Sequence, residues 1–262
     1  MPQLAANLTL MFGEVPFLER FDAASTAGFE AVEYLFPYDY DAQILKQKLR
    51  DHGLVQVLHN LPAGKWAAGE RGIACFPDRV DEFKAGVDNA IAYATVLGCD
   101  RVNCLAGILP ASVDPLAARE TLKRNLQYAA PRLKAAGIKL LIEPINTRDI
   151  PGFFLSGTRQ AVEIIEAVGS DNLFLQYDIY HMQIMEGNLA PTIEANLPVI
   201  AHMQLADVPG RHEPGTGAID FGSLLPFIDR VGYAGWIGCE YIPQAKTVDG
   251  LGWAAPYLHR RP

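Results

Sequence analysis

The chain is 262 residues long, half of them hydrophobic and a fifth charged, a composition that excludes disordered and fibrous classes and allows a sizeable core. A formal net charge of −8 without any Lys/Arg run argues against a nucleic-acid partner, because such binding rests on basic faces that displace counterions. No stretch approaches the roughly 18 to 20 apolar residues that span a bilayer and no basic leader with a cleavage site opens the chain, so no membrane partner and a cytoplasmic address are expected.

Short apolar or β-branched runs then alternate with helical patterns along the whole chain. The first strand is expected over residues 5–12, and Phe12-Gly13-Glu14-Val15-Pro16 behind it offers a single glycine, too little for a dinucleotide fingerprint, so no nucleotide cofactor is expected. A second strand follows over 29–36, and Asp41 and Gly53 then bracket the helix AQILKQKLRDH as cap and stop. A third strand over 54–61 leads into a long connection, 62–77, before Asp78 opens the helical run that ends at Gly98. The fourth strand, 100–106, is followed by Asp114-Pro115 and a helix stopping at Gly137. Strands over 139–145, 173–180, 200–206 and 235–242 complete the pattern, with a second long connection at 207–219. Eight βα units of roughly 33 residues each fit a single (β/α)8 TIM barrel spanning 1–262, an α/β fold whose active site lies at the C-terminal ends of its strands. The two long connections fall there and are candidate lids or substrate walls. The four cysteines, Cys75, Cys99, Cys104 and Cys239, form no C-x-x-C pair and are expected as buried thiols.

Four consecutive strand ends carry an oxygen-bearing side chain: Glu143 in LLIEP, Asp178 in LQYDIYH, Gln204 in HMQLAD and Glu240 in IGCEYIP. Strand alternation turns these four toward the barrel axis, sends Ile142, Tyr177, Met203 and Cys239 out against the helices, and sets Leu141, Gln176, His202 and Gly238 one layer deeper, where Gln176 and His202 need internal partners. Three carboxylates in one mouth repel each other unless a cation neutralises them, and an all-oxygen donor set suits one divalent ion, Mg2+ or Mn2+.

The segments NLTLMFGE, LHNLPAGKWAAGERGIACFP, LLIEPINTRDIPGFFLSGTRQA, QYDIYHMQIMEGNL, EPGTGAIDF and GWIGCEY resemble those of the hydroxypyruvate isomerases, a branch of the xylose isomerase-like metal barrels, over almost the full chain. The resemblance implies a divalent metal on Glu143, Asp178, Gln204 and Glu240, with Glu143 and Glu240 as the acid/base pair. It also implies a small 2-oxo or hydroxy acid as substrate, hydroxypyruvate being interconverted with tartronate semialdehyde through an enediolate. His59, His181 and Arg211 are candidates to touch substrate. Arg71 is the candidate anchor for its carboxylate, as against a surface arginine paired with Glu70, and Trp66 could close over the ligand. Family members often carry an acidic residue where Lys65 stands and a lysine where Ile242 stands; Lys65 could restore the charge across the mouth. Barrels of this family commonly associate, so a homo-oligomer is compatible with the resemblance. The alternatives are an isomerase of a longer 2-oxo acid sugar such as 2-oxo-tetronate, a ketose 3-epimerase, and a non-catalytic sugar-acid-binding barrel. A metal-dependent endonuclease is the weakest reading, with only six histidines and no basic face.

Overall fold

A computed structural model describes residues 1–258, leaving 259–262, the end of the expected domain, outside the described residues. Eight parallel strands close into a barrel in chain order: β1 (Gln3–Asn7), β2 (Ala31–Glu33), β3 (Val55–Asn60), β4 (Arg101–Cys104), β5 (Lys139–Ile142), β6 (Leu173–Asp178), β7 (Ile200–Leu205) and β8 (Trp236–Cys239). Around them run α1 (Arg20–Thr26), α2 (Ala42–His52), α3 (Val80–Leu97), α4 (Pro115–Ala135), α5 (Thr158–Val168), α6 (Ile179–Met185), α7 (Leu189–Asn196) and α8 (Phe221–Arg230). Among the described residues no helix is long and apolar enough to cross a membrane.

The caps act as the residue types dictate at two of three helices. Asp41 accepts the Gln43 N–H and Asp114 the Ala117 N–H, and Gly53 closes α2 in the left-handed region that costs glycine nothing. Asp78 differs: a turn of 3-10 helix over Pro77–Arg79 precedes α3, which starts at Val80 without a side-chain cap.

The strands are shorter than the apolar runs that announced them, and at the ends of two of them a polar side chain captures the backbone. In the first, Asn7 Oδ1 accepts the Thr9 N–H at 3.0 Å, and the run expected to 12 turns away after Asn7. In the sixth, Asp178 Oδ1 accepts the Tyr180 N–H at 2.8 Å and converts the expected strand end into the start of α6. A third long connection, 143–157, also lies above the strand ends, since β5 stops at Ile142.

The expected alternation is present. Ile142, Tyr177, Met203 and Cys239 join the large core between strands and helices, while Leu141 packs inside the barrel with Ala5, Ala31, Val57, Leu58 and Ala201, walled by Phe174 and Trp236. This apolar plug fills the lower barrel, so the polar layers above it have a dry floor. All four cysteines are buried and free.

Candidate active site

Above the plug, the interior turns polar in two layers. In the lower one Glu33, only 1% exposed at the end of β2, accepts from three side chains: His202 Nε2 at 2.7 Å, Gln204 Nε2 at 2.7 Å and Asn7 Nδ2 at 2.9 Å. His202 thus has the internal partner its position demands, and Gln176 has another, donating through Nε2 to Gln204 Oε1 at 2.6 Å. Gly238 is required beside this cluster, since a Cβ there would overlap the Glu33 carboxylate.

The upper layer holds the carboxylates. Glu143 Oε2 accepts from Asn103 Nδ2 at 2.8 Å, and Asn103 also donates to Asn60 Oδ1 at 3.2 Å. Asp178 Oδ2 faces His181 Nε2 and Arg211 Nη2, each at 3.5 Å. Glu240 Oε2 is paired with Arg211 Nη2, and its Oε1 lies 3.4 Å from the Asn7 amide nitrogen that also serves Glu33. Burial pushes the Glu143 carboxyl well above the usual range, with the charges of Glu240 and Asp178 adding to it. Glu240 is pushed up to about 8, burial outweighing the opposing Arg211 guanidinium. An array that disfavours its own ionisation in this way is one that a cation would stabilise.

Glu143, Asp178 and His181 form a buried group whose ligand atoms lie within 4.8 Å of one another, close enough to hold a metal ion. The hydrogen bonds of His181 define its part in that group. Asn146 Oδ1 accepts the Arg148 and Asp149 N–H groups at 3.1 and 2.8 Å, which fixes its amide so that Nδ2 points at His181 Nδ1, 2.7 Å away. Nδ1 is therefore the acceptor, and the ring carries its proton on Nε2, aimed at Asp178 and, at 4.0 Å, Glu143. Burial lowers the His181 pKa to about 4, so the ring is neutral and works as a donor.

Gln204 is oriented in the complementary sense. With Nε2 on Glu33, its Oε1 is turned away from Glu33, and a carbonyl oxygen has a second lone pair beyond the one taken by Gln176.

A cavity of about 250 Å³ opens above these groups, lined by Glu143, Glu240, His181, Arg211, Arg71, Trp66 and Asn60 among others. Arg71 lies at 4.1 Å over the Trp66 ring and donates to the carbonyls of Trp66 and Glu70. The Glu70 carboxylate is turned elsewhere, to Arg79 at 2.8 Å and the Lys65 N–H at 2.5 Å. Arg71 thus lines the cavity held by two loop carbonyls and not by the Glu70 carboxylate.

Two expected positions fall elsewhere. His59 faces outward, because the register that aligns Asn60 with the inward Asn103 aligns His59 with the outward Val102. Its ring packs edge-on to Tyr38 with Nδ1 3.1 Å from the Asn60 carbonyl, and burial lowers its pKa to about 4. Asn60 lines the cavity in its place. Lys65 lines a neighbouring cavity rather than this one, and the cation on Glu240 is Arg211. The Ile242 side chain is half exposed, and its N–H donates to the Arg211 carbonyl at 2.8 Å.

Asn7, Glu33, Asn60, Asn103 and Asn146 were not expected in the site. Asn7, Glu33, Asn60 and Asn103 are polar residues inside otherwise apolar runs, which marks them without telling which way each faces, whereas Asn146 lies in the connection after β5, where strand alternation gives no signal.

In comparison with known proteins, residues 21–257 match the sequence profile of the xylose isomerase-like TIM barrels. The chain is 53% identical over 257 residues to the hydroxypyruvate isomerase of Escherichia coli (strain K12), covering 98% of this chain and all of that one. It is 47% identical over 260 residues to the 2-oxo-tetronate isomerase of Cupriavidus necator, covering 99% of this chain and all of that one. A crystal structure described as an AP endonuclease, family 2, from Brucella melitensis superimposes with a TM-score of 0.97 at 47% identity, covering 99% of this chain and all of that one.

Proposed function

The chain belongs to the xylose isomerase-like TIM barrels, and we propose that it is a metal-dependent isomerase interconverting hydroxypyruvate and tartronate semialdehyde by glutamate-mediated proton transfer. The observation that carries this reading is the joint presence of Glu143, Glu240 and Arg71 on one cavity of about 250 Å³. Two carboxylates supply a base and an acid, and an arginine that is not paired with the Glu70 carboxylate supplies an anchor for an anionic substrate.

Glu143, Asp178, Gln204 and Glu240 would hold one divalent ion, Mg2+ or Mn2+; such an ion supplies Lewis-acid stabilisation to negative charge developing on substrate oxygens. The donor set supports it: three buried carboxylates and an amide oxygen are hard ligands, and burial, with neighbouring carboxylate charges adding to it, leaves Glu143 and Glu240 averse to ionisation. His181, with its proton on Nε2, serves better as a hydrogen-bond donor to a substrate oxygen than as a ligand.

The residues then act in sequence. Arg71 holds the substrate carboxylate, and Trp66 covers it from the same loop. One glutamate removes a proton from C3 of hydroxypyruvate, giving an enediolate. His181 and Arg211 donate to its oxygens, the glutamate pair returns a proton to C2, and the C3 hydroxyl proton passes to the C2 oxygen, leaving an aldehyde at C3 and a hydroxyl at C2. No hydride moves in this scheme, and it uses no nucleotide.

The relative from Cupriavidus necator favours a second reading, a 2-oxo-tetronate isomerase with the same machinery. The deciding experiment assays hydroxypyruvate, 2-oxo-tetronate and neutral ketoses with and without EDTA, alongside metal analysis. We expect hydroxypyruvate to give the highest kcat/KM, turnover to stop in EDTA and return with Mn2+, and bound Mn2+ to be lost in Glu143→Gln and Asp178→Asn. Faster turnover of 2-oxo-tetronate would select the second reading, and full Mn2+ stoichiometry in both variants would overturn the ligand set.

A further inference from the structure

The connection after β7 carries Arg211, and the structure shows why that arginine stands where it does. Asp207 is fully buried two residues beyond the strand, and its carboxylate accepts four backbone N–H groups. Oδ1 takes Val208 at 2.8 Å and Ile219 at 3.0 Å, and Oδ2 takes Gly215 and Gly217, each at 2.9 Å. These donors come from both ends of the loop, so one side chain ties the way out to the way back. The Asp207 N–H donates to the His212 carbonyl at 2.8 Å and the Ala218 N–H to the Val208 carbonyl at 2.7 Å, which closes the ring. Gly217 passes so near Asp207 and Val208 that a Cβ would overlap them.

Arg211 sits on this ring in the left-handed region, with φ of 57°, a conformation an arginine keeps only when its surroundings impose it. Two carbonyls hold this turn: that of His212 accepts the Asp207 N–H, and that of Arg211 itself accepts the Ile242 N–H. From there the guanidinium reaches Glu240 and Asp178, and its Nε donates to the Glu240 carbonyl at 3.3 Å.

The geometry points to Asp207 as a positioning residue for the isomerase reaction: it presets Arg211 over the carboxylates by holding 208–219 as a fixed wall rather than a lid. Nothing in this arrangement gives Asp207 contact with substrate. Replacing it with asparagine keeps one acceptor oxygen but turns an NH2 group against two N–H donors, so the ring loosens and Arg211 loses its preset position.

The kinetic test rests on the activity proposed above; a second test does not. In a double-mutant cycle on hydroxypyruvate, Asp207→Asn should lower kcat/KM by tenfold or more in the wild-type background and by less than about threefold in the Arg211→Met background. Losses that multiply would overturn the proposal, because Asp207 would then act independently of Arg211. Amide hydrogen exchange of the intact wild-type protein supplies the activity-free measurement. Val208, Gly215, Gly217 and Ile219 should be protected at least a hundredfold over unstructured amides, and in Asp207→Asn these four should lose protection while the amides of β6 and β8 keep theirs. Exchange of the four at unstructured rates in the wild type overturns the proposal whether or not the variant folds. A wild type inert on every 2-oxo acid, with the four amides protected, would instead count against the isomerase reading alone.

Discussion

The guanidinium carbon of Arg71 lies over the Trp66 ring, 4.1 Å from its centroid, while the neighbouring Glu70 carboxylate is taken by Arg79 and the Lys65 N–H. The loop therefore spends its acidic residue on its own closure and keeps its arginine for the cavity.

Arg71→Met should lower kcat/KM on hydroxypyruvate roughly 30- to 150-fold, equivalent to about 2 to 3 kcal/mol for a charge-assisted bond. The same variant assayed on an analogue with a hydroxymethyl group in place of the carboxylate should lose far less, and Mn2+ affinity should hardly change. Equal losses on both substrates would mean that Arg71 shapes the loop, and Arg211 would become the anion site.

The Glu143 and Glu240 pair implies proton exchange with solvent during turnover. Product formed in D2O should carry deuterium at C2, detectable by proton NMR or mass spectrometry. Complete retention of the substrate hydrogen would favour a hydride shift, which the enediolate scheme does not contain.

Glu33 is the acceptor for His202, Gln204 and Asn7, all buried. Glu33→Leu removes every acceptor at once and strands three donors, each costing about 1 to 3 kcal/mol, so unfolding in urea should show a loss of about 3 kcal/mol or more. Glu33→Gln keeps one acceptor oxygen and should lose less. A leucine variant as stable as the wild type would mean that water or new partners replace the carboxylate.

Glu70 gives the loop a pH dependence of known sign. The Lys65 N–H chiefly, opposed by desolvation and helped by Arg79, holds its carboxyl below the ordinary value of 4.5. A depressed folded-state pKa contributes stability above the unfolded value, and that contribution is lost as pH falls through the folded one. Trp66 fluorescence should therefore be constant at neutral pH and change below about pH 4.5, as protonation of Glu70 releases the Lys65 N–H and leaves Arg79 to Glu82 alone. Glu70→Gln should already show the changed signal at pH 7. A wild-type transition above pH 6 that survives in Glu70→Gln would assign the change to another group.

The barrel was legible in the sequence because the alternation of patterns repeats along the chain, and the parity of Glu143, Asp178, Gln204 and Glu240 followed from their strand ends. Strand limits were less legible: side chains such as Asn7 and Asp178 end strands by capturing the backbone, and an apolar run gives no sign of this until contacts are known. His59 marks the limit of parity read one strand at a time. The register between β2 and β3 shifts at Val32/Glu33, and only the pairing of Asn60 with Asn103 reveals which neighbour faces the axis. Glu33 was hidden for a different reason. A lone carboxylate in a short strand reads as a solvated end, and its three donors come from β1 and β7, far away in sequence.

The buried cysteines turn the protein into its own unfolding reporter. Burial pushes the Cys75 and Cys99 thiols up to about 12 and raises those of Cys104 and Cys239 as well, so the thiolate that alkylating reagents require is scarce while the barrel is closed. Cys239 lies on β8, next to the seam where the closing strand meets β1, whereas Cys104 lies on β4 across the barrel. The order in which an alkylating pulse marks these two sulfurs therefore records whether the cylinder parts first at the seam joining its ends or on the opposite wall.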